Sequence, residues 1–201
     1  MELFFKNLAN SIEQAVKKDI EKILKEVGNE RIYSVALVTD SDCITLYMAI
    51  NTYEYMQKKD EQYKSNKQYM KMLKKSLSKE KMKSILDSTV SLTKWIPDEW
   101  GYSTGKGSNL VDISKILCEK EEALSTEERL QYRELFFEYV TFAFKNLIEL
   151  DIFGSNSEEI TFFISVSDDE NLTEIENYSA KLLNSSRLYE QFLKRTEFWK
   201  N

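Results

Sequence analysis

A chain of 201 residues with one proline and five glycines has few places to reverse sharply. Sandwiches and barrels of short strands need frequent turns rich in both residues. This chain must run mostly in long segments, and the apolar spacing says which kind. Phe5, Leu8, Ile12, Ala15, Ile20, Ile23, Leu24 and Val27 recur at helical spacing over 3–27, with Glu13, Lys17, Lys18, Glu21 and Lys25 opposite them. Gly28-Asn29 supplies the stop.

Strand composition follows. Ile32 to Thr39 is dense in β-branched and aliphatic residues, Asp40-Ser41-Asp42 is a turn cluster, and Cys43 to Ile50 alternates Ile44, Leu46 and Met48 with Thr45, Tyr47 and Ala49. The short link predicts an antiparallel hairpin over 32–50, its nearly continuous first strand in a central position. Ile160 to Ser167 predicts a third strand. Asn51, with Glu54 three residues on, has capping-box spacing and opens a lysine-rich helical segment over 56–90 that breaks near Ser76-Leu77-Ser78. Helices are also expected over 110–123, 172–183 and 188–199. Ser125-x-x-Glu128 starts another that runs to Leu150 and buries Leu130, Phe136, Phe137, Val140, Phe144, Leu147 and Ile148. The expectation is a single α+β domain over 1–201. Its sheet is small and mainly antiparallel, made of the hairpin 32–50 and the strand 160–167, and several helices cover it.

Charge divides the chain. From Met56 to Lys83 ten lysines face Asp60, Glu61 and Glu80, a balance of +7; with a net charge of −6, the remainder carries −13. Between Lys145 and Lys181 no basic residue occurs. The basic segment contains no arginine, the residue that dominates base and phosphate recognition, so nucleic acid is not the expected partner. An acidic surface speeds association with basic proteins. No segment is apolar enough to span a bilayer, and the start of the chain has no basic region leading into an apolar stretch. The expected location is the cytoplasm, with no membrane partner and with Cys43 and Cys118 as free thiols.

The chain has no histidine, which removes the commonest general base and metal ligand. No cofactor or metal is called for. Neither cysteine has a histidine to activate it, and no Gly-x-Ser-x-Gly elbow occurs. Gly105-Lys106-Gly107-Ser108 lacks the spacing of a phosphate loop and reads as a turn. Carboxylates are the plentiful catalytic groups. Asp40 and Asp42 end the first strand, and Asp168 and Asp169 end the third. If those strands are parallel neighbours, their ends could hold Mg²⁺ for chemistry on a phosphate ester. Against this stands the ordinary use of Asp in caps and turns. The irregular stretch from Thr93 to Asn109 holds Trp95, Pro97, Glu99, Trp100 and Tyr102, residue types suited equally to sealing a core and to binding.

The order of these features resembles a bacterial family, domain of unknown function 4303. The resemblance rests on Tyr33 to Asp40, Asn51-Thr-Tyr-Glu54, Trp95-x-Pro-x-Glu-Trp100, Phe153-Gly154, Val166-Ser-Asp168 and Ser179-Ala-Lys-Leu-Leu-Asn184. It implies a compact α/β protein of this length and carries over no activity and no catalytic residue. Some uncharacterised families of this kind resemble immunity proteins encoded beside bacterial toxins. The function expected is therefore non-enzymatic binding of a protein, in the manner of an immunity protein. The binding residues are Trp95, Glu99, Trp100, Tyr102, Asp168 and Asp169, and the metal enzyme is the alternative.

Overall fold

A computed structural model describes residues 1–154 and 156–200. Helix α1 (Glu2–Val27) leads into strands β1 (Ile32–Asp40) and β2 (Tyr47–Thr52). Three helices follow, α2 (Tyr53–Ser65), α3 (Lys67–Ser76) and α4 (Lys79–Leu86), then a two-residue strand β3 (Tyr102–Ser103). Helices α5 (Leu110–Glu122) and α6 (Thr126–Glu149), strand β4 (Thr161–Ser167), and helices α7 (Leu172–Leu183) and α8 (Ser186–Leu193) complete the chain. No helix among the described residues is long and apolar enough to cross a membrane.

The sheet order is β3-β2-β1-β4, with β1 central as its two-sided apolar run implies. The sheet is mixed, which corrects the mainly antiparallel expectation for the strand at 160–167. β2 is antiparallel to both β1 and β3, but β4 lies parallel to β1, pairing Val35 with Phe162 and Asp40 with Ser167. A parallel neighbour needs a long crossover, and here the whole stretch from β2 to α6 provides it. Strand β3 is too short to show a period in the sequence.

Each sheet face buries a different kind of core. Val35, Leu37, Met48, Ile50, Phe162 and Ile164 point to α1, α5 and α6, where Phe5, Ile12, Phe136 and Phe144 are fully buried. The alternate residues Ala36, Val38, Ala49 and Phe163 meet Trp95, Trp100, Ala180 and Phe192. A third cluster, Met70, Leu73, Met82, Ile85 and Leu92, lies under the lysine-rich helices. That segment forms three helices rather than two, because Asn66 interrupts it and accepts from the N–H groups of Gln68 and Tyr69.

Local signals explain the long helices well. Gly28 takes φ 61° after α1, and its N–H bonds Leu24. Ser125 and Glu128 form the capping box of α6. Leu130, expected on the buried face of α6, is 67% exposed, because it precedes Tyr132, where the buried stretch of α6 begins. Strand β2 starts at Tyr47, later than the hairpin pattern predicts, since Cys43 adopts φ 57° within an excursion after β1. Thr52, not Asn51, caps α2, and Glu54 binds Arg31 instead.

The open edge of the sheet is β4, and α7 closes it with side chains. Asn184 accepts from the N–H of Phe162 at 2.8 Å and donates to its carbonyl at 2.6 Å. Ser179 accepts from the N–H of Ile164 at 2.9 Å. Backbone groups that would otherwise recruit another strand are thereby occupied.

Candidate functional site

The aromatic stretch after α4 is first of all a wall of the second core. The Trp100 ring is 7% exposed and meets Phe163 edge-on at 5.7 Å. Its indole N–H donates to the Lys94 carbonyl at 3.2 Å, and the Tyr33 hydroxyl donates to the same oxygen at 2.8 Å. Asn51 ties this knot, donating to the Tyr33 hydroxyl at 2.9 Å and accepting from Gly101 N–H at 3.4 Å. Gly101 must be glycine, since a Cβ there would lie 2.6 Å from the Tyr55 ring. Glu99 accepts from the Tyr63 hydroxyl at 2.6 Å and pairs with Lys59 at 3.0 Å. Tyr102, in β3, packs beside the first core and Tyr55.

The parallel pairing of β1 and β4 does bring Asp40 and Asp168-Asp169 to one end of the sheet. The carboxylates of Asp40 and Asp169 have other work there. Asp40 accepts from the N–H groups of Asp42 and Ile44 at 3.1 Å and from the Thr45 hydroxyl. Arg133 of α6 bridges the two strand ends, donating to the Ser41 carbonyl and to Asp169, which also accepts from Asn171 N–H at 2.7 Å. Asp42 and Asp168 are exposed. Among the described residues no three Cys, Asp or Glu side chains come together as a metal site.

Thiol and phosphate chemistry fare no better. Burial pushes the Cys43 thiol up to about 12 despite Arg133, and burial with Glu122 raises Cys118, so neither supplies thiolate near neutral pH. The turn at Gly105–Ser108 does lie between a strand and a helix, β3 and α5. The start of α5 is already taken by a carboxylate: Asp19 of α1 accepts from Asn109 N–H at 3.0 Å and Leu110 N–H at 3.2 Å, where a phosphate would sit.

Beyond the C-terminal ends of β1 and β4 lies a cleft of about 660 Å³. Such crevices are the usual ligand sites of sheets with parallel strands. Trp95 and Asp168, both singled out in the sequence, line it; Glu99, Trp100, Tyr102 and Asp169 do not. Residues that sequence reasoning passed over complete it: Lys94, Asp98, Glu176, Arg195 and Trp199. Glu176 and Arg195 form an ion pair at 2.9 Å with side chains only 7% and 4% exposed. Burial pushes both toward neutrality, the carboxyl up and the guanidinium down. No local signal marks this pair, since its partners are 19 positions apart on different elements.

On the other side of α7, a groove of about 680 Å³ runs between it and α6. Its apolar surface includes Phe137, Ile175 and Tyr178, the last 60% exposed. Glu134, Glu138 and Glu174 rim it, and no lysine or arginine is among its lining residues. Phe142, 56% exposed, continues the apolar surface along α6.

No curated protein and no solved structure matches the chain. Several residues that carried the family resemblance have structural work: Tyr33, Asn51 and Trp100 hold one knot, and Ser179 and Asn184 close the sheet edge. The model of the domain of unknown function DUF4303 matches residues 12–185, which takes in every one of these, and the chain belongs to that family.

Proposed function

We propose that the chain acts by non-catalytic recognition of a protein, and that a basic amphipathic segment of the partner seats in the α6–α7 groove. The observation that carries this is the combination at one place of the exposed Tyr178 ring and a rim of three carboxylates, with no lysine or arginine in the lining and Arg133, stacked on Phe137, already paired with Asp169. Aromatic surface of this kind anchors interfaces, while the acidic rim steers and orients a basic partner. An immunity protein that neutralises a basic toxin is the specific form of this reading, suggested by analogy with families of this kind. The paucity of activated nucleophiles fits a binder, since binding requires no activated group.

The test is co-expression with the product of the adjacent gene, followed by size-exclusion chromatography and titration calorimetry. The expected result is a salt-sensitive complex that Glu138→Lys with Glu174→Lys weakens by at least about tenfold. A complex indifferent to both substitutions and to salt would remove the α6–α7 groove as its seat. If the adjacent product shows no binding, the immunity form of the reading is lost.

A further inference from the structure

The cleft beyond β1 and β4 holds a cation that aromatic faces answer but no carboxylate does. Lys94 is half-buried, and its ammonium lies 5.0 Å from the centroid of the Trp95 ring and 5.7 Å from that of Tyr33. No carboxylate meets it among the described residues, and burial alone holds its pKa below the ordinary lysine value. The other cation on the cleft wall is fully engaged: Arg195 donates to Glu176, to Asn177 and to the Phe192 carbonyl. Aromatic faces offset only part of the cost of withdrawing an ammonium from water, and a bound anion relieves more of it.

The lining restricts which anion. Trp95, Trp199, Tyr69 and Pro97 give the cleft aromatic and apolar walls, which suit a flat apolar body. Asp98, which accepts from the Tyr47 hydroxyl at 2.7 Å, and Asp168 stand exposed in the same lining. A phosphate dianion would gain one lysine and face two carboxylates. A single carboxylate is opposed less, and an ammonium on the same molecule would find the aspartates. The volume of about 660 Å³ is in the range of small-molecule sites, roughly 300–1,000 Å³.

We propose that this cleft binds a small zwitterion with a flat apolar body, of which an aromatic amino acid is the simplest. Its carboxylate pairs with Lys94 and its ammonium faces Asp98 and Asp168. The site is separate from the α6–α7 groove and stands or falls without it.

Titration calorimetry on the whole protein with three probes separates the parts. L-tryptophan carries both charges, indole-3-acetate only the carboxylate and tryptamine only the ammonium. L-tryptophan should saturate one site. Lys94→Met, which keeps the length of the side chain, should weaken L-tryptophan and indole-3-acetate at least about tenfold and leave tryptamine unchanged. Asp168→Asn should weaken L-tryptophan and tryptamine and spare indole-3-acetate; Asn tolerates the φ of 55° at this position. Trp199→Ala, at a 43% exposed position, should weaken all three without touching the core. Failure of every probe to saturate overturns the proposal, as does wild-type binding by both Lys94→Met and Trp199→Ala. Tighter binding of inorganic phosphate than of any probe overturns the ligand class.

Discussion

The two faces of the sheet are built by different means. On the α1–α5–α6 side, long helices present apolar stripes, and the buried carboxylate there, Asp19, accepts only from amide N–H groups of Asn109 and Leu110. On the other side a loop, the start of α7 and the end of the chain meet. Aromatic rings pack edge-on, as Trp95 does against Phe192 at 5.1 Å, and a buried Glu176–Arg195 pair stands beside them. The first face is a packing surface toward the sheet, and the groove with α7 lies on the outer side of its helix α6. The second contains charges, a cleft and a lysine that no carboxylate answers, and that is where a small ligand can be recognised.

Breaking the buried pair should show the contrast most strongly. Glu176→Leu leaves Arg195 buried without its partner and should lower stability by about 3–5 kcal/mol in urea unfolding. Adding Arg195→Met should restore most of the loss, because an apolar pair of similar size needs no desolvation. A double variant as unstable as the single would mean that the pair shapes this face rather than merely filling it.

The sheet edge comes next. Asn184→Ala strips the N–H and C=O of Phe162 of their partners and should cost about 1–3 kcal/mol. Amide exchange at Phe162 should quicken while that of Val35, inside the β1 ladder, stays slow. Equal acceleration at both would show that the edge does not open by itself.

The smallest effect is a pH dependence confined to the second face. Burial by itself raises the Glu99 carboxyl, but the Tyr63 hydroxyl and Lys59 outweigh it and hold the group below its usual 4.5. A carboxyl lowered on folding binds protons more readily in the unfolded chain. Its contribution is therefore present above pH 4.5 and lost as pH falls through the folded value. The gap in unfolding free energy from urea titration between wild type and Glu99→Gln, under about 1 kcal/mol at neutral pH, should close in acid. A gap that is constant with pH would assign it to packing.

Much of the first face was legible because its information is local. The stripe from Phe5 to Val27 and the Ser125–Glu128 box mark α1 and α6 without reference to the rest of the chain. The candidate site was legible only in fragments. Trp95 and Asp168 drew notice as an aromatic in an irregular loop and an acid at a strand end. Trp100 drew it on the same grounds and proved to be core, because exposure depends on what packs against a ring and not on the ring. Lys94, Glu176 and Arg195 look like ordinary surface charges in the sequence.

By itself the sequence determined the long helices α1 and α6, the central position of β1 and the division of charge along the chain. Each follows from side-chain periodicity or composition within one segment. It also placed carboxylates at two strand ends and left histidine out of any chemistry. Only the tertiary structure decided that β4 runs parallel to β1, that Arg133 and not a vacant site joins those strand ends, and that Lys94 faces a cleft without a counter-charge. The physical reason is distance along the chain. Strand direction, burial of a charge and the partner that answers it are set by segments far apart in sequence, and no local pattern records their meeting.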